Sequence, residues 1–187
     1  RFSPDSSMIY SIATDQTMRI WNTANGLEIS QLDIFTDRPL TMHISEDGQY
    51  AAIGTGNYGD ELVDNIVDRS STPSLWVIDL ENRAELRTFK AEDEWAWSVD
   101  TSPDGSIAAS GYGPLRPPQE GMDTSAHIWD IETGREIRRL NGHFSTVEGV
   151  KFSPDGETLL TGAWDGQLIL WNPANGNEIR RFIDPDA

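Results

Sequence analysis

The sequence contains no cysteine and only two lysines, Lys90 and Lys151. Without cysteine the chain can form no disulfide, thiolate metal site or iron–sulfur cluster, and no thiol can act as a nucleophile. No apolar run approaches the ~20 residues that a membrane-spanning helix requires. These absences exclude several classes of site. The remaining composition, 37% hydrophobic and 24% charged in 187 residues, is typical of a folded globular chain.

Positively charged residues are scarce throughout the chain. The sequence has 14 lysine and arginine residues against 31 aspartate and glutamate residues, which gives a formal net charge of −17. Because nucleic acids are bound by basic surfaces, we expect no nucleic-acid partner, and anionic membranes are disfavoured for the same reason. A partner carrying positive charge is favoured. The acidity can equally reflect a salty habitat or an arginine-biased genome, so both interpretations stay open.

Two short signatures recur along the chain. One is a turn in which proline presets φ and glycine tolerates a positive φ. Its four copies are Phe2-Ser3-Pro4-Asp5-Ser6, Ile44-Ser45-Glu46-Asp47-Gly48, Thr101-Ser102-Pro103-Asp104-Gly105 and Phe152-Ser153-Pro154-Asp155-Gly156. The other is a tryptophan after an aliphatic residue, at Trp21, Trp76, Trp129 and Trp171. The first three tryptophans precede the next signature serine by 24, 26 and 24 residues, so the chain is built from a regular repeat.

Each repeat contains four short apolar or alternating stretches bounded by turn residues, which predicts four β-strands. The length varies only between the second and third strands. There the second and third repeats carry about 13 and 9 additional residues, within roughly Gly56–Pro73 and Gly111–Asp123. The signature serines recur at intervals of 42, 57 and 51 residues. Four strands in a unit of this length predict a blade of a β-propeller.

The last repeat carries the most specific motifs, namely Gly142-His143, the turn at Ser153–Gly156, Trp164-Asp165-Gly166 and Leu170-Trp171. On these motifs the chain resembles the WD-repeat β-propeller family over essentially its whole length. The resemblance implies an all-β fold with four blades of four antiparallel strands, at residues 1–36, 37–92, 93–143 and 144–187. The chain starts within a first strand, and WD propellers most often have seven or eight blades. We therefore expect an open arc with an incomplete first blade, cut from a larger propeller.

The resemblance also implies a buried polar network of histidine, hydroxyl, aspartate and tryptophan in each blade. The matching residues are His143, Thr161, Asp165 and Trp171 in the last repeat, Ser110, Asp123 and Trp129 in the third, and Ser11, Asp15 and Trp21 in the first. In the third repeat, Glu92 or Asp93 stands where the histidine is expected. In the second repeat, Ile53 replaces the hydroxyl and only Trp76 is left, so we expect packing to hold that blade together.

Some of these residue types also occur in catalytic triads. His143, Thr161 and Asp165 supply the three groups, but a buried indole N–H and a buried carboxylate each need partners, which this set provides within itself. A triad also needs an exposed nucleophile and an oxyanion site. We therefore expect the set to be structural. His43 and His127 have no partner at metal-ligand spacing, so we expect solvent or the core to satisfy them, and we predict no metal site.

The two insertions distinguish this chain from a minimal repeat array. The resemblance places both on the same face as the Gly-His segments, which is usually called the top. The first insertion is acidic and could bind a cation such as calcium, but its spacing matches no known cation-binding loop, so a solvated loop is favoured. The second is proline-rich at Gly113–Pro118 and is either an extended polyproline surface or a stiff spacer.

A stretch of acids and tryptophans lies between the two insertions. Glu92-Asp93-Glu94-Trp95-Ala96-Trp97 precedes the first strand of the third repeat, and Trp97 aligns with Glu148, a position that often lines the top rim of WD domains. Tryptophans flanked by acids suit a hot spot for a peptide carrying positive charge. We predict a partner-binding top face made of Trp95, Trp97, Glu92, Glu94, Asp60, Glu61, Asp64 and Glu148.

These features favour a non-enzymatic scaffold that binds a protein or peptide through its acidic top face, without a cofactor and with the cytoplasm as the default location. The alternative is the sensor or recruitment arm of a larger multidomain enzyme, such as a bacterial-type protein kinase or ATPase. This sequence has no phosphate-binding glycine loop followed by lysine and a hydroxyl residue, so catalysis would then lie elsewhere. A hydrolase or lyase at the channel mouth would need carboxylates paired by a recognisable motif, and none is present.

Overall fold

The computed structural model describes residues 1–56, 74–90, 95–114 and 121–183. These residues form 15 strands in four antiparallel sheets, and none of them lies in a helix. The first two sheets contain β1 (Met8–Ile12), β2 (Met18–Asn22) and β3 (Glu28–Leu32), then β4 (Arg38–Ile44), β5 (Tyr50–Gly56), β6 (Ser74–Asp79) and β7 (Ala84–Lys90). The last two contain β8 (Trp95–Thr101), β9 (Ile107–Gly113), β10 (Ala126–Asp130) and β11 (Glu136–Leu140), then β12 (Val147–Phe152), β13 (Leu159–Ala163), β14 (Gln167–Trp171) and β15 (Glu178–Ile183). The predicted all-β architecture is confirmed.

In the last three sheets the recurring turn signature closes the hairpin between the first two strands, and in the first sheet it joins Phe2 to β1. In the third sheet the Ser102 hydroxyl donates to Asp104 at 2.6 Å and accepts from the backbone N–H of Ile107 at 3.1 Å. Gly105 takes a φ of +68°, a region that favours glycine. The same serine-to-aspartate bond recurs at Ser3, Ser45 and Ser153. These local bonds fix where each first strand ends.

The strands of each sheet pair in chain order, so every sheet is a simple meander. In three sheets the first strand carries a β-bulge near its start, where one residue has no partner on the second strand. The bulged residues are Leu40, Trp97 and Glu148. The structure therefore places Trp97 and Glu148 at equivalent positions, as the sequence alignment predicted. Bulges re-aim side chains, and these three occupy the same end of their sheets.

The sheets pack side by side through three apolar clusters, each of which joins two consecutive sheets. Glycines make the close approach possible. A Cβ added at Gly54 would lie 2.4 Å from the carbonyl oxygen of Ala96 in the next sheet, and one added at Gly111 would lie 2.6 Å from that of Val147. The first strands β4, β8 and β12 are neighbours, as expected for blades arranged about one axis.

The arc is open, as predicted. The first sheet has three strands, and Phe2 adds only a single bridge to Ile9 where the other sheets have a complete first strand. Among the described strands, β12 contacts β8 and β9 of the preceding sheet, and the four sheets do not close into a ring. The propeller segment therefore presents two end faces, one on its first sheet and one on its last.

A buried carboxylate ties three blades together near the axis. Asp100 on β8 is 1% exposed, and it accepts hydrogen bonds from Lys151 Nζ and from the backbone N–H of Phe152 on β12, both at 2.7 Å. Nδ1 of His43 on β4 lies 3.0 Å from the same carboxylate. Burial lowers the pKa of His43, and the charge of Asp100 opposes that shift. His43 is thus satisfied by an acidic partner on the first strand of the next sheet.

The second repeat departs from the predicted register. Trp76 lies opposite Ile53 on the neighbouring strand, and the equivalent pair in the next sheet is His127 and Ser110. Trp76 is therefore equivalent to His127, which is two residues before the position of the repeat tryptophan, Trp129. That position is held by Ile78, which is fully buried and sits at the same third-strand bulge as Trp129. Treating Trp76 as the repeat tryptophan was therefore wrong. Ile78 precedes Ser102 by 24 residues, which restores the spacing of the other repeats.

Candidate functional site

The fourth blade contains a complete buried polar network. His143 lies with Nδ1 2.9 Å from Asp165 Oδ2 and with Nε2 2.7 Å from Thr161 Oγ1. The same hydroxyl accepts a 2.8 Å hydrogen bond from Trp171 Nε1. The side chains of His143 and Asp165 have no exposed surface. The network connects the turn before β12 to β13 and β14, so it fixes the loops at one end of the blade.

This geometry leaves no free nucleophile in the network. Thr161 is fully buried and its hydroxyl is shared between the imidazole of His143 and the indole of Trp171. A catalytic hydroxyl must reach substrate, and this one is enclosed by its own partners. Across the part of the chain that the structure describes, no group of three histidine, aspartate or glutamate side chains could hold a metal ion.

The first and third blades retain part of the network. Trp21 Nε1 donates to the Ser11 hydroxyl at 2.9 Å, and Trp129 Nε1 donates to the Ser110 hydroxyl at 2.8 Å. Asp15 is exposed and accepts from the backbone and side chain of Thr17 and from Arg19 rather than from a histidine. In the second blade, Ile78 and Ile53 stand at the tryptophan and hydroxyl positions, and Nε1 of Trp76 has no partner among the described residues.

Asp123 of the third blade contacts a histidine at a position other than the one expected from the family motif. Nε2 of His127, a residue of β10, lies 2.8 Å from Asp123 Oδ2, and the imidazole packs 4.6 Å from the ring of Tyr112. Burial alone would raise the pKa of Asp123, but hydrogen bonds from His127 and Ser125 outweigh it and lower the pKa to about 2. The histidine expected before the blade, at residues 92 or 93, lies outside the described residues. The spacing of the repeats did not predict this pair, because the histidine was expected before the first strand of the blade and His127 lies on the third strand.

Three indoles form a continuous aromatic surface at one end of the third and fourth blades. The rings of Trp95 and Trp97 are 5.2 Å apart, and those of Trp97 and Trp164 are 5.6 Å apart. Trp97 Nε1 donates to the carbonyl of Gly113 at 2.8 Å, and Trp164 Nε1 donates to Glu148 Oε2 at 2.7 Å. We call Trp95, Trp97, Trp164 and Glu148 the tryptophan rim.

The rim residues come from the starts of first strands and from the turn after a second strand, which meet at the same end of these antiparallel sheets. Trp97 and Glu148 are the bulged residues of β8 and β12, and Trp164 follows β13 in the short turn before β14. Trp95 and Trp97 are half-buried, whereas Trp164 and Glu148 are exposed. The repeat pattern predicts Trp95, Trp97 and Glu148 on a common surface but does not include Trp164. The signal that could have identified Trp164 is its position at the end of the second strand, where the fourth repeat has no insertion.

The described ends of the insertions lie beside the rim. A Cβ added at Gly56, the last residue of β5, would lie 3.0 Å from the indole of Trp95, and Gly113, the last residue of β9, is the acceptor for Trp97. Both insertions therefore leave their sheets next to these indoles. The other residues of the predicted face lie outside the described residues; they are Asp60, Glu61, Asp64, Glu92 and Glu94.

Comparisons with known proteins agree with this architecture. The sequence model of the family described as "WD domain, G-beta repeat" matches residues 1–22, 83–130 and 134–172, together more than half of the chain. Relatives include a periodic tryptophan protein 2 homolog of Dictyostelium discoideum, 26% identical over 97% of this chain and 18% of its own length. A guanine nucleotide-binding protein subunit beta of Saccharomyces cerevisiae is 23% identical over 90% of this chain and 43% of its own length. The serine-threonine kinase receptor-associated protein of Gallus gallus is 26% identical over 94% of this chain and 42% of its own length.

The chain thus spans less than half the length of these relatives. The longest interval that the family model leaves unmatched, residues 23–82, includes most of the second blade, where the tryptophan and hydroxyl positions hold Ile78 and Ile53. The described residues include no helix long and apolar enough to cross a bilayer.

Proposed function

Because the chain belongs to the WD-repeat family, we propose that it is a protein-interaction scaffold that binds a protein or peptide carrying positive charge through the tryptophan rim. The observation that carries the proposal is the contiguous surface of Trp95, Trp97 and Trp164 beside the Glu148 carboxylate. Aromatic side chains clustered on a rigid surface are the usual anchors of protein interfaces.

The hydrogen bonds of the rim support a cationic contact. The N–H groups of Trp97 and Trp164 already donate to Gly113 and Glu148. What these two indoles offer a partner is therefore their ring faces, whose negative quadrupole attracts arginine and lysine side chains. The Glu148 carboxylate is exposed and is oriented by the Trp164 indole, so it can accept a charge-assisted hydrogen bond from the same cation.

The charge of the chain supports the same class of partner. The net charge of −17 raises the encounter rate with a basic surface and lowers it with an acidic one. The acidic residues predicted for the face, Asp60, Glu61, Asp64, Glu92 and Glu94, add further negative charge to the contact in our proposal. The contact would therefore weaken as ionic strength increases.

An immobilised peptide array tests the proposal. We expect the chain to bind peptides rich in arginine and lysine and to ignore acidic peptides of matched length and aromatic content. For a selected basic peptide, Trp97→Ala is expected to weaken binding about 30-fold, the cost of a ~2 kcal/mol hot spot, and Glu148→Gln about 5-fold, for ~1 kcal/mol.

Glu157→Gln is the matched control. Glu157 is an exposed glutamate of the same blade that follows the turn at the opposite end of β12, so its change alters the net charge equally without touching the rim. Binding that ignores the sign of the peptide charge would contradict the proposal. Equal weakening by Glu148→Gln and Glu157→Gln would also contradict it, because the effect would then be one of net charge.

A further inference from the structure

The three indoles of the tryptophan rim contact one another directly. The ring centroids of Trp95 and Trp97 are 5.2 Å apart with their planes tilted by 34°, and those of Trp97 and Trp164 are 5.6 Å apart with a tilt of 54°. Aromatic rings at these separations are in van der Waals contact, so no other group fits between neighbouring indoles. The rings therefore form an open shelf of successive tilted faces.

This arrangement differs from an aromatic cage. A cage holds a round ammonium group between rings on opposite sides, whose faces must then lie ~7–8 Å apart, or between neighbouring rings that meet close to a right angle. Neither contact within the rim has that separation or that angle. A flat cation can stack on a shelf of this shape, whereas an ammonium group would touch it on one side only.

The Glu148 carboxylate lies at the edge of the shelf. Trp164 Nε1 donates to Glu148 Oε2 at 2.7 Å, and an indole N–H bond points along the plane of its ring, so the carboxylate stands beside the ring rather than over its face. No described residue donates a hydrogen bond to the other oxygen, Oε1. Trp164 is 46% exposed. A ligand can therefore cover this indole and reach Oε1 from the same position.

We propose that the rim binds an arginine side chain of its protein partner in preference to lysine, with the guanidinium stacked on Trp164 and hydrogen-bonded to Glu148. This inference rests on the proposed function and specifies its cation. A guanidinium is planar, weakly hydrated and carries donors along its edge, so it can cover the ring and bond the carboxylate beside it at the same time. A lysine ammonium is compact and strongly hydrated, so it makes one of these contacts at the expense of the other.

The hydrogen bonds of the rim hold this geometry before a partner binds. Trp97 Nε1 donates to the carbonyl oxygen of Gly113 at 2.8 Å, and Trp164 Nε1 orients the Glu148 side chain. Trp97 and Glu148 are also the bulged residues of β8 and β12, so the backbone sets where both side chains begin. An exposed glutamate normally loses rotamer freedom when it pairs with a cation. Its prior orientation here reduces that cost and favours the directional bond of a guanidinium.

Matched peptides test the preference. Each set on an array is identical except that its basic residues are all arginine, all lysine or all trimethyllysine. We expect the arginine peptide of a set to bind about tenfold more tightly than the lysine peptide, and trimethylation of lysine to give no gain. Isothermal titration calorimetry with the 187-residue chain then gives the affinity ratio for the tightest set.

Two rim variants identify the groups that distinguish the cations. Glu148→Gln and Trp164→Leu are each expected to reduce the arginine-to-lysine affinity ratio from about ten to about two, because each removes one of the two contacts that the guanidinium joins. Glu157→Gln and Phe2→Leu are the matched controls, since they remove an exposed carboxylate and an exposed ring outside the rim. Both controls should leave the ratio unchanged.

The outcomes separate this inference from the proposed function. Equal affinity for the arginine and lysine peptides, with both weakened by Trp97→Ala, would overturn the arginine preference and leave the proposed function in place. Tighter binding of the trimethyllysine peptide would overturn it too, because the indoles would then act as a cage. An arginine preference that survives both rim variants would place the contact elsewhere and overturn it as well. Failure of the array to separate basic from acidic peptides would contradict the proposed function, and this inference with it.

Discussion

The shared hydroxyl of the fourth blade offers the sharpest test of the structural network. Thr161→Val keeps the shape of the side chain and removes the oxygen that lies 2.8 Å from Trp171 Nε1 and 2.7 Å from His143 Nε2. Both nitrogens are enclosed, so water cannot replace the lost partner. A buried polar group left without a partner costs ~1–3 kcal/mol, and two such groups predict a loss of roughly 2–5 kcal/mol in the free energy of unfolding.

The first blade supplies the control. Ser11→Ala removes the acceptor of Trp21 Nε1 alone, and Ser11 and Trp21 are both half-exposed, so water can take the place of the hydroxyl. We expect a loss below ~1 kcal/mol. Urea unfolding followed by far-UV circular dichroism gives both values, and the thermal midpoint should fall by ~5–15 °C for Thr161→Val in a chain of this length. Equal losses for the two variants would refute the reasoning that burial makes this network costly to break.

Three further predictions concern other buried polar contacts. The pKa of Asp123 is depressed to about 2, so its hydrogen bonds stabilise the folded state fully above the unfolded pKa of ~3.9 and are lost as the pH falls towards 2; Asp123→Asn should remove this part of the acid-unfolding curve. Trp129→Phe should cost about 1 kcal/mol more in urea unfolding than Trp76→Phe, because the indole N–H of Trp129 donates to Ser110, whereas that of Trp76 has no partner among the described residues. Lys151→Gln should cost about 1 kcal/mol, because the Lys151 side chain is 64% exposed and Asp100 keeps the backbone hydrogen bond from Phe152, and Asp100→Asn added to it should recover part of that loss in a double-mutant cycle.

The sequence predicted the features that depend on local chemistry. The turn at Ser102–Gly105 forms from bonds among neighbouring residues, so its pattern identified the first hairpin in each of the last three sheets. The same holds for the fourth blade, where the Gly-His segment, hydroxyl, aspartate and tryptophan stand at regular spacing. The second blade shows where this reasoning fails. An aliphatic residue precedes both Trp76 and Ile78 in β6, and only strand pairing distinguishes the two registers, although the spacing of 26 instead of 24 was a warning.

Only part of the candidate site could be predicted from the sequence, because the repeat pattern encodes some of its residues and not the contacts between blades. Trp97 and Glu148 follow from repeat alignment, because both occupy the bulge of a first strand. The contact between Trp97 and Trp164 joins two different blades, and no spacing along the chain encodes it. His127 likewise pairs with Asp123 only because β10 turns its side chain into the core beside Tyr112. Contacts between sheets depend on how the blades pack, and this packing is determined by residues distributed over all of their faces.

The seven indole N–H resonances provide the most direct measurement of the proposed function. A ¹H–¹⁵N spectrum recorded while an array-selected basic peptide is added reports each tryptophan separately. The rim assigned here predicts that the resonances of Trp95, Trp97 and Trp164 shift, while those of Trp129 and Trp171, buried in their blades, stay in place. Shifts confined to tryptophans outside the rim, with Trp97 and Trp164 unmoved, would contradict it.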